Sequence, residues 1–181
     1  MVQTELVTAA QRGDAEAFAA LARLSADRLY AVAVRVTRDR TRAEDALQQA
    51  LIATWEQLPR LRDPERFEAW TYRLVVRFAV QQARVGRDSS QQIFALPEQE
   101  PTPGDAVADV ATRDQLERGF RRLTPEQRAV VVLHFYAGMS LAEIAEVIGV
   151  PLGTVGSRLH YAKRALRAAL EADDRVEERT A

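Results

Sequence analysis

The chain has no cysteine, which excludes disulfides, thiolate catalysis and cysteine-ligated zinc. Its only histidines, His134 and His160, are too isolated to form a metal pair. His134 falls in the apolar stretch Val130 to Tyr136 and reads as a hydrogen-bonded, half-buried residue. No run approaches the ~20 apolar residues of a membrane span, so no membrane insertion is expected. The start, Met-Val-Gln-Thr-Glu-Leu, has neither a basic leader nor an apolar core of signal length, and the expected compartment is cytoplasmic. A phosphate-binding Gly-x-x-x-x-Gly-Lys loop, a Gly-x-Ser-x-Gly elbow and paired metal-spaced histidines are all missing. No catalytic residue, metal or cofactor is therefore expected. Net charge is also scarce, at −1, but the balance is local. Glu171, Asp173, Asp174, Glu177 and Glu178 crowd the end and leave the segment before them basic, so nucleic acid is not excluded.

Strand signals are nearly absent, whereas helix starts recur. A capping residue followed by an acid, amide or proline stands at Asp14, at Thr41 to Glu44, at Asp63-Pro64 and at Thr124 to Gln127. The chain reads as all-α, with helices over 3–12, 14–37, 42–58, 64–85, 113–122, 125–137, 140–148 and 152–171. Between the fourth and fifth, Asp88-Ser-Ser-Gln-Gln is followed by Pro97, Pro101, Pro103 and Gly104 among acids. That composition sustains neither helix nor core. The expected architecture is two small helical-bundle domains, 1–88 and 112–171, joined by a flexible Pro-rich linker at 89–111 and followed by a frayed acidic tail at 172–181.

The second domain carries a helix-turn-helix pattern. Ser140 and Glu143 fit a capping box, Leu141, Ile144, Ala145 and Ile148 share a face, and Gly149 suits a left-handed helix end. Pro151 fits the start of the next helix, in which Val155, Leu159, Ala162 and Leu166 turn inward. Ser157, His160, Tyr161, Lys163 and Arg164 are left outside, the groups a groove-reading helix presents to bases and phosphates. A tight pair of packed helices without DNA would show the same stripes.

In the helix at 64–85, Arg66, Arg73, Arg77 and Arg84 fall in one stripe at 3.6 residues per turn. Phe67, Trp70, Leu74 and Phe78 form an aromatic-aliphatic stripe beside it that is expected to bury itself in the domain, with the edge of the stripe as the alternative place for Trp70. Guanidinium for phosphate and π faces for unstacked bases suit single-stranded DNA, and a solvated arginine face over an aromatic core is the alternative. In the helix at 42–58, Leu47, Leu51, Trp55 and Leu58 lie toward the core. Asp45, Gln49, Ile52 and Glu56 make a polar stripe around an exposed isoleucine, either a docking face or an ordinary surface.

Taken in order, Asp14-Ala-Glu-Ala-Phe18, Ala43-Glu-Asp-Ala-Leu-Gln-Gln-Ala-Leu-Ile-Ala-Thr-Trp55, Phe67-Glu-Ala-Trp-Thr-Tyr-Arg73, Leu123-Thr-Pro-Glu-Gln-Arg128 and Ser140 to Ala165 resemble the extracytoplasmic-function branch of the sigma-70 family of bacterial transcription initiation factors. The resemblance spans nearly the whole chain, with regions two and four present and no third region. It implies a protein without catalytic activity that binds core RNA polymerase, through the β′ clamp and the β subunit, and promoter DNA, with an anti-sigma factor as a further partner. It implies that Asp45, Gln48, Gln49 and Ile52 face polymerase. Arg62 and Asp63 would receive a flipped base of the minus-ten element, with Trp70, Arg73, Arg77 and Arg84 alongside. Ser157, His160 and Tyr161 would read the minus-thirty-five element, with Arg158, Lys163 and Arg164 nearer phosphates. The chain departs from the family pattern at Arg77, where Asn is usual, at Gln81, where Asp is usual, and at Gly156, where a polar or basic side chain is usual. Two other readings fit the residues: a conventional helix-turn-helix regulator acting without polymerase, and a sigma-like interaction protein that does not initiate by itself.

Overall fold

The computed structural model describes residues 3–85 and 116–177, with side chains to residue 171; the expected linker at 89–111 and most of the acidic tail lie outside the described residues. Every described element is helical: α1 (Gln3–Gln11), α2 (Ala15–Thr37), α3 (Arg40–Gln57), α4 (Phe67–Val85), α5 (116–122), α6 (Pro125–Val131), α7 (Leu141–Ile148) and α8 (Leu152–Glu177). Short 3-10 turns at Leu58–Arg60 and Pro64–Arg66 lead into α4, and a π turn, Val132–Tyr136, prolongs α6.

Local chemistry accounts for most of the boundaries. Asp14 accepts from the Ala17 N–H at 3.0 Å, satisfying a donor that the first helical turn leaves unpaired. Thr124 with Gln127 and Ser140 with Glu143 both form complete capping boxes. Gly149 ends α7 at φ 70°, a left-handed conformation that glycine adopts without a Cβ clash.

Two boundaries differ from the sequence expectation. The cap of α3 is Asp39, which accepts from the Arg42 N–H at 3.1 Å, and Thr41 already lies inside the helix. Arg38, at φ 60°, turns the chain left-handed directly after α2, so the new helix begins sooner than a Thr41 cap would allow. Helix α8 also runs past residue 171, to Glu177.

Helices α2, α3 and α4 pack together, and α1 lies against α2 over a small cluster of Leu6, Val7, Leu21, Leu58 and Phe67. The inner face of α3 is built from Ala43, Ala46, Ala50 and Ala53, and these small side chains bring the neighbouring helices close. Leu47 and Leu51 are half-buried. Trp55 does not join the core as expected; it remains 41% exposed with its ring tilted against that of Phe18, centroids 4.8 Å apart, because the alanines fill the inward positions. Helix α5 approaches α8 so closely that a Cβ at Gly119 would meet Leu166 Cδ2 at 2.8 Å.

The two helical units are not apart. One core runs from Leu29, Val32 and Val36 of α2 and Val75, Val76 and Ala79 of α4 to Val130, Leu133, Ile144, Val147 and Val155. Helix α4 touches α6 and α7, and α2 touches α6 and its π turn. At the seam the buried Arg38 guanidinium pairs with Glu117 of α5. Burial lowers the pKa of Arg38, and the neighbouring Glu117 carboxylate opposes that shift. Arg35 also lies over the Tyr136 ring, 4.1 Å from its centroid.

Candidate nucleic-acid interface

Three surfaces carry the residues singled out in the sequence. The first is the outer side of α3, where Asp45, Gln48, Gln49 and Ile52 are all exposed, Ile52 by 52%. No described element packs over them. Exposed Trp55 and Glu56 extend the same surface by a further turn.

The second surface is α4 with the loop before it. Arg62 and Asp63 are exposed there, and the Asp63 carboxylate accepts from the Glu65 N–H at 3.0 Å, which fixes the turn into the helix. Trp70 is half-buried, with its ring 6.2 Å from Phe67. Arg73, Arg77 and Arg84 all reach solvent, and the Arg77 guanidinium also lies 4.6 Å from the centre of the Phe78 ring.

No acid shares the arginine stripe, but the second unit supplies two. Arg66 pairs with Glu146 of α7, and Arg84 pairs with Glu126 of α6 through Nη2 at 2.6 Å and Nε at 2.8 Å. Burial would raise the pKa of Glu126, yet bonds from its backbone N–H, Arg84 and Thr124 bring it below the ordinary carboxylate value. A Cβ at Gly149 would stand 3.8 Å from Arg73 Nη2, so the turn of the helix-turn-helix directly faces the middle of the stripe. Between them is a cleft of about 690 Å³ lined by Trp70, Arg73, Arg77, Gln81, Arg84 and Arg158, with Leu74, Val147, Ile148 and Val150 among its apolar walls.

The third surface is the outer side of α8. Val155, Leu159 and Ala162 are buried and Leu166 is partly so, which turns Ser157, His160, Tyr161, Lys163 and Arg164 outward, all exposed. The Ser157 hydroxyl donates to the Thr154 carbonyl at 3.0 Å. His160 and Tyr161 meet edge to face at 5.7 Å. Arg158 differs from these neighbours, being half-buried and directed into the cleft with α4. At Gly156 a Cβ would meet nothing within 4 Å, so the missing side chain leaves open space. His134 is half-buried, with Nδ1 2.9 Å from the Met139 carbonyl oxygen, as expected of a structural histidine.

Sequence reasoning missed Glu126 and Glu146 as partners of the arginines. Glu126 is visible in sequence only as a first-turn acid favoured by the helix dipole, and Glu146 as a surface residue of α7. Among the described residues no cluster of metal-binding side chains occurs and no helix is long and apolar enough to cross a membrane.

Comparison with known proteins accords with this arrangement. Residues 21–87 match the family model for sigma-70 region 2, and residues 113–166 match that for sigma-70, region 4. The chain is 34% identical over 168 residues to the ECF RNA polymerase sigma factor SigL of Mycobacterium tuberculosis, covering 88% of this chain and 94% of SigL. It is 26% identical over 172 residues to the ECF RNA polymerase sigma factor SigW of Bacillus subtilis, covering 88% of this chain and 92% of SigW. Among solved structures, CnrH in complex with the cytosolic domain of CnrY superposes with a TM-score of 0.69 at 25% identity, over 94% of this chain and 98% of CnrH. The sigma factor RpoE of Bartonella quintana, solved with the anti-sigma factor NepR, shares the fold at a TM-score of 0.64 and 22% identity, over 86% of this chain and 98% of RpoE.

Proposed function

The chain belongs to the extracytoplasmic-function branch of the sigma-70 family, and on that premise we propose how its surfaces divide the work of transcription initiation. It is an alternative sigma factor that binds core RNA polymerase, directs it to particular promoters and assists strand opening. Residues 1–88 hold polymerase and the minus-ten element, 112–171 read the minus-thirty-five element, and 89–111 connect them. The acidic residues of 172–181 follow the second reader.

Asp45, Gln48, Gln49 and Ile52 dock on the β′ clamp, and the second unit lies near the β subunit. The uncovered face of α3, with an apolar centre inside a polar rim, suits that contact. Arg62 and Asp63 border the pocket for an extruded base, Trp70 offers a stacking face, and Arg73, Arg77 and Arg84 track the strand. On α8, Ser157, His160 and Tyr161 meet base edges while Arg158, Lys163 and Arg164 bind phosphates. The chain contributes no catalytic group and needs no cofactor, since bond formation belongs to polymerase. An anti-sigma factor is the expected regulator, by analogy with the RpoE complex.

The observation that carries this reading is the pairing of region-two and region-four matches with cationic residues on the corresponding helices, α4 and α8. Each unit touches few base pairs and binds weakly alone, but mounting both on one polymerase makes the second contact effectively intramolecular. Fluorescence titration of labelled protein with purified core polymerase tests the docking face. Saturable binding is expected, weakened by Ile52→Glu and by Asp45→Arg but not by Lys163→Ala. Absence of binding would sink the reading.

A further inference from the structure

We infer that the cleft between α4 and the second unit is a binding site for a nucleoside polyphosphate, held by arginines from both of its walls. The inference goes beyond the proposed function and does not require α4 to meet promoter DNA.

The cleft has a volume of about 690 Å³, within the roughly 300–1,000 Å³ of ordinary small-molecule sites. Its charge is one-sided. Arg73, Arg77 and Arg84 of α4 and Arg158 of α8 line it with Glu126 as the single acid, and Glu126 is already engaged by Arg84. Among the described residues no carboxylate pairs with Arg73, Arg77 or Arg158. Guanidinium groups on facing walls repel one another where water is partly excluded. An anion between them replaces that repulsion with charge-assisted hydrogen bonds, and donors spread over two walls suit a chain of phosphates better than a single one.

Other groups in the cleft select a nucleotide over a bare polyphosphate. The half-buried Trp70 ring lines it, and an aromatic face of this kind stacks on any base. Leu74, Ile148 and Val150 continue the apolar wall. Gln57 and Gln81 belong to the same lining, and each carboxamide offers both the donor and the acceptor that a base edge requires. A phosphate chain alone would use none of these side chains.

The arrangement also favours one nucleotide over a strand. The pairs Arg66 with Glu146 and Arg84 with Glu126 stand at the two ends of the arginine stripe. A strand laid along the stripe meets both carboxylates, whereas a nucleotide between them takes Arg73, Arg77 and Arg158 and leaves both pairs intact.

Isothermal titration calorimetry of the full chain, at low salt in magnesium-free buffer, tests this with ATP, GTP, inorganic tripolyphosphate and adenosine as probes. ATP and GTP should bind saturably. Tripolyphosphate should bind at least about tenfold more weakly, the worth of one stacked base, and adenosine should give no saturable heat. Arg73→Ala and Arg158→Ala, one from each wall, should each weaken ATP binding about tenfold, as for a lost hydrogen bond to a charged group, with helical content unchanged by circular dichroism. Trp70→Leu should bring ATP down to the level of tripolyphosphate.

No saturable binding of ATP overturns the inference. Tripolyphosphate or adenosine matching ATP overturns it too, because base and phosphates would then not act together, and so does unchanged ATP affinity in Arg158→Ala, which would leave the ligand on α4 alone. A short mixed-sequence single strand that binds where ATP does not would give the arginines to the strand and reject the nucleotide. ATP binding without strand binding upholds the inference and removes the minus-ten assignment of α4 instead.

Discussion

Helices α4 and α8 both carry arginines and aromatic rings, yet one faces the body of the molecule and the other faces away from it. Helix α8 buries a single face through Val155, Leu159 and Ala162, and its outer side is available as it stands. Helix α4 buries Leu74, Val75 and Val76 in succession. At 100° per residue those three cannot share one face, so α4 is packed from two sides, by α2 and α3 and by α6 and α7. What remains is a strip of guanidinium groups facing Glu126, Glu146, the Gly149 turn and Arg158 of the second unit. The outer face of α8 is open as it stands, whereas the arginine face of α4 is partly covered by the second unit.

Several changes would break or sharpen that contrast, and the largest effect is expected at the seam. Glu117→Ala strips the carboxylate from the buried Arg38 guanidinium and leaves it the residue-117 carbonyl, and should cost about 3–5 kcal/mol of stability, the usual consequence of breaking a buried charge pair. Urea unfolding measures it, and a loss below about 0.5 kcal/mol would mean that the seam does not hold the units as described.

Next, Arg73→Ala with Arg77→Ala should slow open-complex formation by at least about tenfold, at roughly 1–3 kcal/mol per specific contact, while affinity for core polymerase stays near normal. Unchanged opening kinetics would remove the α4 stripe from the DNA reader. On the exposed helix, His160→Ala or Tyr161→Ala should lose about 1–3 kcal/mol of base discrimination at one upstream position with little change in salt dependence. Binding selection on randomised upstream elements reads this out, and an unaltered preference would detach these residues from readout.

Gly149→Ala should cost about 1 kcal/mol, because alanine is strained at φ 70°, and thermal unfolding should show the loss. The smallest effect concerns pH. The folded-state pKa of Glu126 is lowered, so its stabilisation is complete above the carboxyl's unfolded value and is lost as pH falls through the folded value. Because Arg84 is mostly exposed, the change is about 0–1 kcal/mol. The stability of Glu126→Gln should accordingly vary less than wild type across the acid range.

Most helices and several caps could be read from the sequence because their determinants are local. Asp14, Thr124 with Gln127, Ser140 with Glu143 and Gly149 each act within a few residues. Asp39 escaped because the turn before it is made by Arg38, whose side chain gives no sign of a left-handed backbone. The alanine face of α3 escaped because Leu47, Leu51 and Trp55 offered a larger apolar stripe. The outward residues of α8 were legible from periodicity alone. The covering of α4 was not, since Arg66 meets Glu146 and Arg84 meets Glu126 across long separations in sequence, and no local pattern encodes such a pairing. Val76, buried in the core shared with the second unit, and Val80, which lines the cleft, were hidden beside the arginines.

The most direct test of the account is to reconstitute core polymerase with this chain, transcribe genomic DNA and map every start site. The account predicts start sites that polymerase alone does not use, each preceded by two short elements at a nearly constant separation, with the upstream one lost on changing His160 and Tyr161. No start sites above those of core polymerase, or a single palindrome protected by the chain without polymerase, would contradict it.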